Sequence, residues 1–578
     1  MKRCGPIKSQ KEQVYWELVE SYRTKRGPRQ RVVAYLGDIN RSECRGVKQA
    51  AEEKRGYWQS RLFDAEGEPE WAEVDTRRIR VGKVRDFGGY WLGLQMLEKL
   101  ELTSFLEQTI AHGREDIEWS IMGLALVLWR LCEPSSELHM VEHLYERSPL
   151  GDLLGIPDDK MNDNRLYRSL DNLLPHKSAL EKHLKGRLGE LFQLEYDLLL
   201  YDVTSVYFEG EAADNGQAQR GYSRDHRPDC KQVCIALVVS GEGMPLGYEV
   251  FDGNRHDATT VEDIVTKIES QYGRDGRIWV MDRGMLSEDN LEFLESQKRR
   301  YIIGTPKSQL KHFERELLSG DWEKIRDGLE VKSCASPEGE ETFVLCRSAA
   351  RAEKEKAIHD RFEKRIEKGL EKLIKSCQKR KQKTGSIERR VGRILEANSR
   401  AAGLFKVEVR DGKDGRAEIA WQKVETWRQW AELSEGCYML RTNITDWKAA
   451  ELWEAYIQLT QAETAFRIQK SDLKIRPVWH QKEDRVKAHI LVCFLAYVLW
   501  KMLGQMCKRA GLGNEPRKVF DEIAQIKVVD VMMPTKSGHQ IHRRCVSQPS
   551  DHQAILLQRL GLNLPKNLPL ANKILKKM

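Results

Sequence analysis

The chain has 578 residues, of which 40% are hydrophobic and 32% charged, and its formal net charge is +8. A single hydrophobic core organises roughly 100 to 200 residues, so we expect several domains. The longest uncharged apolar run, residues 490–500, is about half of the roughly 20 residues that span a bilayer. We therefore predict a buried core helix there and no membrane segment.

Basic residues are unevenly distributed along the chain. Residues 1–50 contain 12 basic and 5 acidic side chains, residues 351–400 contain 17 and 8, and residues 464–518 contain 12 and 4. The rest of the chain is net acidic, a pattern typical of a polyanion-binding surface beside an acidic, cation-binding centre. For any one of these three segments, the alternative is that its charged residues only form a solvent-exposed face. The cysteines do not have the spacing of a zinc site, so we interpret them as free thiols. The basic N-terminus is not followed by the apolar run of a signal peptide. Both observations predict a cytoplasmic protein.

Two regions are predicted before the first long apolar strand. Residues 14–36 read as two alternating strands around a Lys-Arg-Gly-Pro turn, which predicts a basic β-hairpin module over 1–75. Residues 89–195 carry apolar side chains at helical spacing with short breaks, which predicts a helical domain over 76–195. We interpret this domain as DNA-binding, with a purely structural helical domain as the alternative.

From residue 198 the pattern changes to apolar strands that alternate with capped helices. The predicted strands are 198–210, 234–240, 245–253, 277–284 and 300–306, and the predicted helices are 259–271 and 287–298. The order of elements is therefore βββαβαβ.

Residues 307–435 interrupt this pattern. Apolar residues recur every three or four positions from 358 to 377, and a Thr-Gly break leads to a second helix. This predicts a helical hairpin whose first arm of about 30 residues is some 45 Å long at 1.5 Å per residue. Residues 404–422 add a β-hairpin with Asp-Gly turns. Core-like sequence resumes over 436–520, and 521–578 form a C-terminal segment.

Two aspartates stand where predicted buried strands end. Asp202 lies at the end of the apolar part of the first strand, and Asp282 has the same position on the fourth. Carboxylates brought together without a counter-charge repel each other, and a divalent cation relieves that repulsion. A structural role at a strand end or turn is the alternative for either aspartate alone.

A third acid lies in the stretch YIQLTQAETAFRIQK, residues 456–470, which we predict to be one amphipathic helix. Glu463 shares a stripe of this helix with Tyr456, Arg467 and Lys470. The alternative is a solvated Glu463–Arg467 pair. The basic residues Lys474 and Arg476 follow, interleaved with an aromatic, which favours a phosphate-facing edge.

The stretches YDVTS, VMDRG and YIIGTP, followed by the pattern Y…E…FR.QK…RPVWH…RVKAHI, resemble insertion-sequence transposases of the Asp-Asp-Glu (DDE) class. The resemblance is to the branch with a Tyr-Arg-Glu-Lys signature, the insertion-sequence-four superfamily. It implies an α/β fold with a ribonuclease H-like core, βββαβαβα. That core would comprise 196–306 and 436–520, interrupted by the largely helical insertion 307–435 and preceded by the β-hairpin module and the helical domain.

The resemblance also implies roles for individual residues. Asp202, Asp282 and Glu463 would be the catalytic triad that binds two Mg²⁺ ions, with Mn²⁺ as a substitute. The residues expected to contact DNA are Arg283, Tyr456, Arg467, Lys470, Lys474 and Arg476. The signature arginine would stand at position 459, where this chain has Leu459, and Arg467 on the same face is its expected replacement.

The function implied is that of a DNA transposase, nucleoid-associated when bound to DNA. Such an enzyme binds the terminal inverted repeats of its element, cleaves the DNA by hydrolysis and joins the 3′-hydroxyl ends to target DNA, with two protomers in the complex. Two alternatives remain at this point. One is a catalytically silent DNA-binding protein derived from a transposase, and the other is a ribonuclease H-like nuclease.

Overall fold

The computed structural model describes backbone strands within residues 2–37 and then the chain over 73–568. The first part comprises 2–4, 15–24 and 27–37, without description of side chains. The second part leaves out residues 275, 337, 338, 340, 413–415 and 536–539.

The N-terminal strands form a small antiparallel sheet of their own. They are β1 (Lys2–Cys4), β2 (Tyr15–Thr24) and β3 (Gly27–Gly37), in the order β1-β2-β3. The pairing of β2 with β3 corresponds to the hairpin predicted at 14–36. Turn residues 25 and 26, and residues 38–72 of the predicted module 1–75, lie outside the described residues.

The predicted helical region begins with a strand, β4 (Arg80–Asp86), that the sequence pattern did not reveal. Its sequence RVGKVRD is short, charged and largely exposed, so it lacks the apolar alternation that marks a strand. The longer helices that follow are α1 (Gly88–Lys99), α2 (Leu102–Thr109), α3 (Trp119–Cys132), α4 (Asp163–Leu173) and α5 (Lys177–Phe192). They lie where helical spacing predicted helices.

The next seven elements occur in the predicted order βββαβαβ. They are β5 (Leu198–Tyr207), β6 (Gln232–Ser240), β7 (Pro245–Asp252), α6 (Val261–Tyr272), β8 (Ile278–Met281), α7 (Glu288–Ser296) and β9 (Arg300–Gly304). Every residue of β6 is buried, which explains why its sequence is a continuous apolar run.

The insertion contains three strands that were not predicted. In chain order it holds β10 (Glu323–Arg326), β11 (Leu329–Ala335), β12 (Thr342–Ser348), α8 (Ala349–Lys379), α9 (Thr384–Ala397), β13 (Phe405–Asp411), β14 (Ala417–Lys423) and α10 (Glu425–Ser434). The helical hairpin α8–α9 and the β-hairpin β13–β14 lie where they were predicted, and α8 has 31 residues. The first three strands escaped prediction because charged residues interrupt their apolar positions.

The remaining elements follow the insertion. They are β15 (Cys437–Thr442), α11 (Ala449–Ile457), α12 (Thr460–Ser471), α13 (Glu483–Arg509), α14 (Pro516–Ala524), β16 (Lys527–Pro534), β17 (Gln540–Val546), α15 (Asp551–Arg559) and β18 (Asn567–Leu568). The prediction of one continuous helix over 456–470 is wrong, because α11 ends at Ile457 and α12 begins at Thr460. Around this break the Leu459 N–H donates to the Tyr456 carbonyl, an i to i+3 bond of 3.0 Å.

A nine-stranded mixed sheet joins the core and the insertion. Its order is β10-β11-β12-β15-β9-β8-β5-β6-β7. Strand β8 runs parallel to both β5 and β9, whereas β6, β7 and β15 pair in antiparallel fashion. The strands β10–β12 therefore extend the core sheet through β15, and the insertion is not a separate helical unit. Its outer part, α8, α9, β13 and β14, has its own hydrophobic cluster.

The ends of the described chain meet in a second sheet of order β18-β17-β16-β4. Strand β16 pairs with β4 across more than 400 residues of sequence, with Lys527 opposite Asp86. Strand β16, in the described part of the predicted C-terminal segment 521–578, thus pairs with the start of the helical region.

Helix α13 passes through the main hydrophobic core. By length and composition it is the one described helix apolar enough to cross a membrane, but 83% of its most apolar window is buried inside the protein. This is the placement of the core helix that residues 490–500 predicted.

Candidate active site

Asp202 and Asp282 stand at aligned positions along two neighbouring parallel strands. In the β5–β8 pair Tyr201 lies opposite Met281. Asp202 and Asp282 are the next residues, and Asp282 is still extended, with φ −75° and ψ 163°. Since paired strands lie about 4.8 Å apart, the pairing brings the backbones of the two aspartates next to each other.

Both aspartates point to the face of the sheet that α12 covers. Tyr201 and Met281 belong to the hydrophobic cluster on the opposite face, with α6 and α7. Side chains alternate along a strand, so the residues that follow them point the other way. Ala462 and Phe466 of α12 pack in the cluster on that second face, and α12 lies against β5 and β6. The helix that carries Glu463 therefore faces the two aspartates.

The three carboxylates influence one another electrostatically. The pKa of Asp202 is raised to about 7, first by burial and then by the charges of Asp282 and Glu463. The Val203 N–H, which donates to Asp202 Oδ1 at 2.8 Å, and the charge of Arg224 oppose this rise. The pKa of Glu463 is also raised, by partial burial and by Asp282. The charge of Asp282 therefore acts on both Asp202 and Glu463, which places the three acids within electrostatic reach of one another.

The donor set suits a hard divalent cation. Among the described side chains, no Lys, Arg or His nitrogen lies within 4.0 Å of a carboxylate oxygen of Asp202, Asp282 or Glu463. Carboxylate oxygens are the ligands that Mg²⁺ and Mn²⁺ prefer, and a cation would supply the missing positive charge. The three ligand atoms are not all within 4.8 Å of one another.

Tyr456 lies beside the Asp282 turn. A Cβ atom at Gly304 would be 2.5 Å from Tyr456 Oη and 3.2 Å from the Arg283 backbone nitrogen. The glycine at the end of β9 therefore makes room for the tyrosine hydroxyl. Burial raises the pKa of Tyr456, and the charge of Asp282 adds to this.

Arg283 and Arg467 are the two predicted arginine contacts whose side chains have no described partner. Both are exposed, and neither guanidinium makes a hydrogen bond or ion pair with any other described side chain. Arg467 follows Glu463 by four residues on α12, so the two side chains lie on the same face of the helix. The Glu463–Arg467 salt bridge, the alternative considered from the sequence, does not form within 4.0 Å, which leaves the arginine available to a ligand.

Lys470 and Arg476 are held by an acid that sequence reasoning missed. Lys470 Nζ lies 3.0 Å and Arg476 Nη1 3.1 Å from Oδ1 of Asp225, whose side chain is only 4% exposed. The pKa of Lys470 is lowered, because burial outweighs the stabilising charge of Asp225. Both predicted phosphate contacts therefore already have an anionic partner.

Lys474 follows the end of α12, and its side chain has no described partner. It is exposed, has a positive φ of 45°, and lines a cavity of about 480 Å³ together with Asp472 and Arg517. Its carbonyl oxygen accepts a hydrogen bond from Arg130 at 3.4 Å. No contact described for Lys474 connects it to the three carboxylates.

A second unpredicted pair lies next to Asp202. The Arg224 guanidinium donates to both carboxylate oxygens of Asp257, and the Arg224 backbone N–H donates to Ser205 Oγ at 3.4 Å. Arg224 and Asp225 both belong to the loop GYSRDHRPDCKQ between β5 and β6. The only sign of these residues in the sequence was the high density of alternating charges in this loop. A loop has no side-chain periodicity, so the sequence does not indicate which of its side chains point towards the site.

Outside this site, one buried cluster also has metal-ligand residue types. Among the described residues, only Glu137, His480 and His489 bring three such atoms within 4.8 Å of one another. Arg130 Nη2 lies 3.4 Å from His489 Nδ1 and 3.9 Å from Glu137 Oε1. A cation thus already occupies the centre. The cluster is better described as a buried ion-pair network that ties α3 and the 137–147 segment to α13.

Comparison with known families identifies the class. Residues 193–499, more than half of the chain, match the family model of the transposase DDE domain. The chain therefore belongs to the DDE transposase family, and it is a DNA transposase by class. Residues 6–60 match the N-terminal domain of IS1634 family transposases. Together the two matches confirm the predicted insertion-sequence DDE transposase.

Similarity to individual proteins is low. No curated protein matches the chain. One solved structure, a cryo-EM structure of a piggyBac transposase synaptic complex with hairpin DNA, aligns with 79% of this chain and 82% of its own. The identity is 9% and the TM-score 0.36, values too low to support an argument.

Proposed function

We propose that the chain cleaves the ends of its element by metal-dependent phosphodiester hydrolysis and joins the 3′-hydroxyl ends to target DNA, on a ribonuclease H-like core. One observation supports this proposal above all. The pairing of β5 with β8 aligns Asp202 with Asp282, on the face of the sheet that the Glu463 helix covers. Three carboxylates without a cationic partner are costly to hold together unless a ligand compensates them. The observed βββαβαβ order supports the ribonuclease H-like assignment.

Asp202, Asp282 and Glu463 would hold the metal. Two bound Mg²⁺ or Mn²⁺ ions would lower the pKa of the attacking water or 3′-hydroxyl and stabilise the leaving oxygen. The protein positions its three carboxylates on two strands and one helix, all rigid elements packed on one core. Two ions in place of one are part of the proposal, on the resemblance alone.

Arg283 and Arg467 are the proposed phosphate contacts beside the acids, because Arg283 follows Asp282 directly and Arg467 lies one helical turn after Glu463. Tyr456 would orient the DNA backbone beside Asp282. Lys470 and Arg476 would act with Asp225 as one charged unit of net positive charge. Lys474 remains a proposed contact on a more distant part of the DNA. Two protomers on paired ends are part of the proposal, on the resemblance alone.

The test is joining of a labelled element end to plasmid DNA. The DNA that flanks the coding sequence supplies the terminal repeats, and the reaction is run with Mg²⁺ or with EDTA. Mg²⁺-dependent joined product is expected from the wild-type protein. Binding without cleavage would favour the alternative of a catalytically silent DNA-binding protein. The observation that favours this alternative is Leu459, which stands where the family signature has an arginine. Cleavage without joining would favour a nuclease.

Mg²⁺ binding is expected to weaken below about pH 7. Asp202 holds a proton below its pKa of about 7 and must release it to bind a cation. Affinity should then fall about tenfold for each pH unit below this value. Without metal the folded state binds this proton more tightly than the unfolded chain, so stability falls as pH rises from about 4 to about 7.

The measurement is the rise in melting temperature on adding Mg²⁺, at about pH 5.5 and about pH 8. The rise should be larger at the higher pH. Asp202→Asn, which cannot titrate, should lose both the rise and its pH dependence. Equal rises at both pH values in the wild-type protein would contradict the assignment of Asp202 as a ligand.

A further inference from the structure

A cavity of about 470 Å³ lies in the helical region, between the 114–119 segment and the start of α4. Its lining includes three arginines, Arg114, Arg165 and Arg168, together with Trp119 and Asn164. Guanidinium groups present planar donor pairs that match phosphate oxygens. The cavity is therefore rich in the side chains that recognise nucleic-acid backbones.

The arginines of this cavity have more donor capacity than the protein uses. Arg114 and Arg168 are exposed, and their guanidinium groups make no hydrogen bond or ion pair with other described residues. Arg165 is mostly buried, and its Nη1 atom has no hydrogen-bond partner. A buried guanidinium nitrogen without a partner is uncommon and calls for an acceptor.

Two acids, Glu115 and Asp116, also line the cavity, but they do not fully neutralise its three arginines. Asp116 lies 2.7 Å from Lys160 and 3.7 Å from Arg165 Nη2, so it is shared between two cations. Glu115 accepts the Gly113 backbone N–H at 3.0 Å. The cavity keeps a net positive charge, and a phosphodiester with one negative charge would complement it.

Helix α4 links the cavity to the segment that precedes α13. Asn164, Arg168 and Asp171 recur at helical spacing and lie on one stripe of about 10 Å at 1.5 Å per residue. At the end of that stripe Asp171 accepts from Arg485 Nε at 3.1 Å, in the first turn of α13. The segment just before α13 carries Trp479, which is 61% exposed. One surface therefore runs from the cavity to the segment that carries Arg476.

We propose that the cavity of Arg114, Arg165 and Arg168 binds a backbone phosphate of the element-end DNA, away from the three acids. This inference rests on the proposed function, and it assigns to the helical region a defined role in DNA binding. Phosphate contacts of this kind fix the position of a duplex and carry no sequence information. The cavity would thus hold the flank of the DNA while the acids act on its end.

The test compares Arg114→Gln, Arg168→Gln and the double variant with Arg147→Gln. Arg147 is an exposed arginine of the same helical region, and its side chain also has no described partner. The affinity for element-end DNA is measured over a series of salt concentrations. The double variant should bind more weakly. The slope of log affinity against log salt should become shallower by about 0.9 for each phosphate that the protein no longer neutralises.

Arg147→Gln should keep the wild-type slope, and melting temperatures should be unchanged in all variants because the replaced side chains are exposed. A double variant with wild-type slope and affinity would overturn the proposal. Binding of ATP and of inorganic phosphate is also measured, to distinguish a small phosphate ligand from a phosphate of the DNA backbone. Arginine-dependent binding of either one, with DNA affinity unchanged, would also overturn it.

This outcome is independent of the proposed chemistry. A wild-type protein that binds end DNA but never cleaves it would refute the proposed function, while the salt slopes of the arginine variants would still be measurable. Conversely, active protein with unaltered slopes in the double variant would refute only the phosphate cavity.

Discussion

Replacing Asp202 by asparagine is expected to lower Mg²⁺-dependent cleavage of element-end DNA by about a thousandfold or more. Metal stabilisation of phosphoryl-transfer charge contributes several kcal/mol, and each 1.4 kcal/mol is about tenfold in rate. Asparagine keeps the size of the side chain but removes the charged ligand. Cleavage is measured in single turnover with DNA at saturation, so that binding does not limit the rate.

DNA affinity should be unchanged or slightly tighter in Asp202→Asn, because one negative charge leaves a surface that faces a polyanion. Asp252→Asn is the matched control. Asp252 also ends a strand of the same sheet, is exposed, and has no described ion pair. Its replacement should leave cleavage at the wild-type rate. Wild-type cleavage by Asp202→Asn would show that this aspartate is not a ligand.

Replacing Leu459 by arginine, the residue of the family signature, is expected to destabilise the protein and not to strengthen DNA binding. Leu459 is 6% exposed and packs in the main hydrophobic cluster. A buried charge without a partner costs about 3–5 kcal/mol. The measurement is the melting temperature, with DNA affinity determined below the transition.

Leu459→Met is the control for this substitution, since it conserves volume and should cost less than about 1.5 kcal/mol. An arginine variant that melts like the wild-type protein, binds DNA more tightly and shows a steeper salt dependence would contradict the structure around position 459. It would mean that this side chain faces the DNA, as the signature implies.

Asp225 changes how the basic residues near the candidate site are interpreted. From sequence, Lys470 and Arg476 are unpaired cations on a phosphate-facing edge. In the structure they share one carboxylate oxygen, whereas Arg283, Arg467 and Lys474 are exposed and have no described side-chain partner. The basic residues proposed to contact DNA therefore divide into exposed cations without a described partner and a pre-formed ionic cluster.

Much of the core was predictable because its strands and helices follow local rules. Strands β5 and β6 are apolar runs, and the hairpin α8–α9 repeats apolar residues every three or four positions. Strands β4 and β10–β12 were missed because charged residues weaken their apolar pattern, and because β4 and β12 join their sheets through partners distant in sequence. Strand β4 forms only with β16, so its stability comes from pairing and not from local propensity.

The sequence by itself determined the class of protein, the order of the core elements and the acids that stand at strand ends. It did so because residue type and periodicity are local properties. Only the tertiary structure decided which residues meet. The register of β5 and β8 aligns Asp202 with Asp282, the break at 458–459 turns Leu459 into the core, and the loop after β5 brings Asp225 to Lys470. These outcomes depend on packing and pairing between distant segments, which no local pattern specifies.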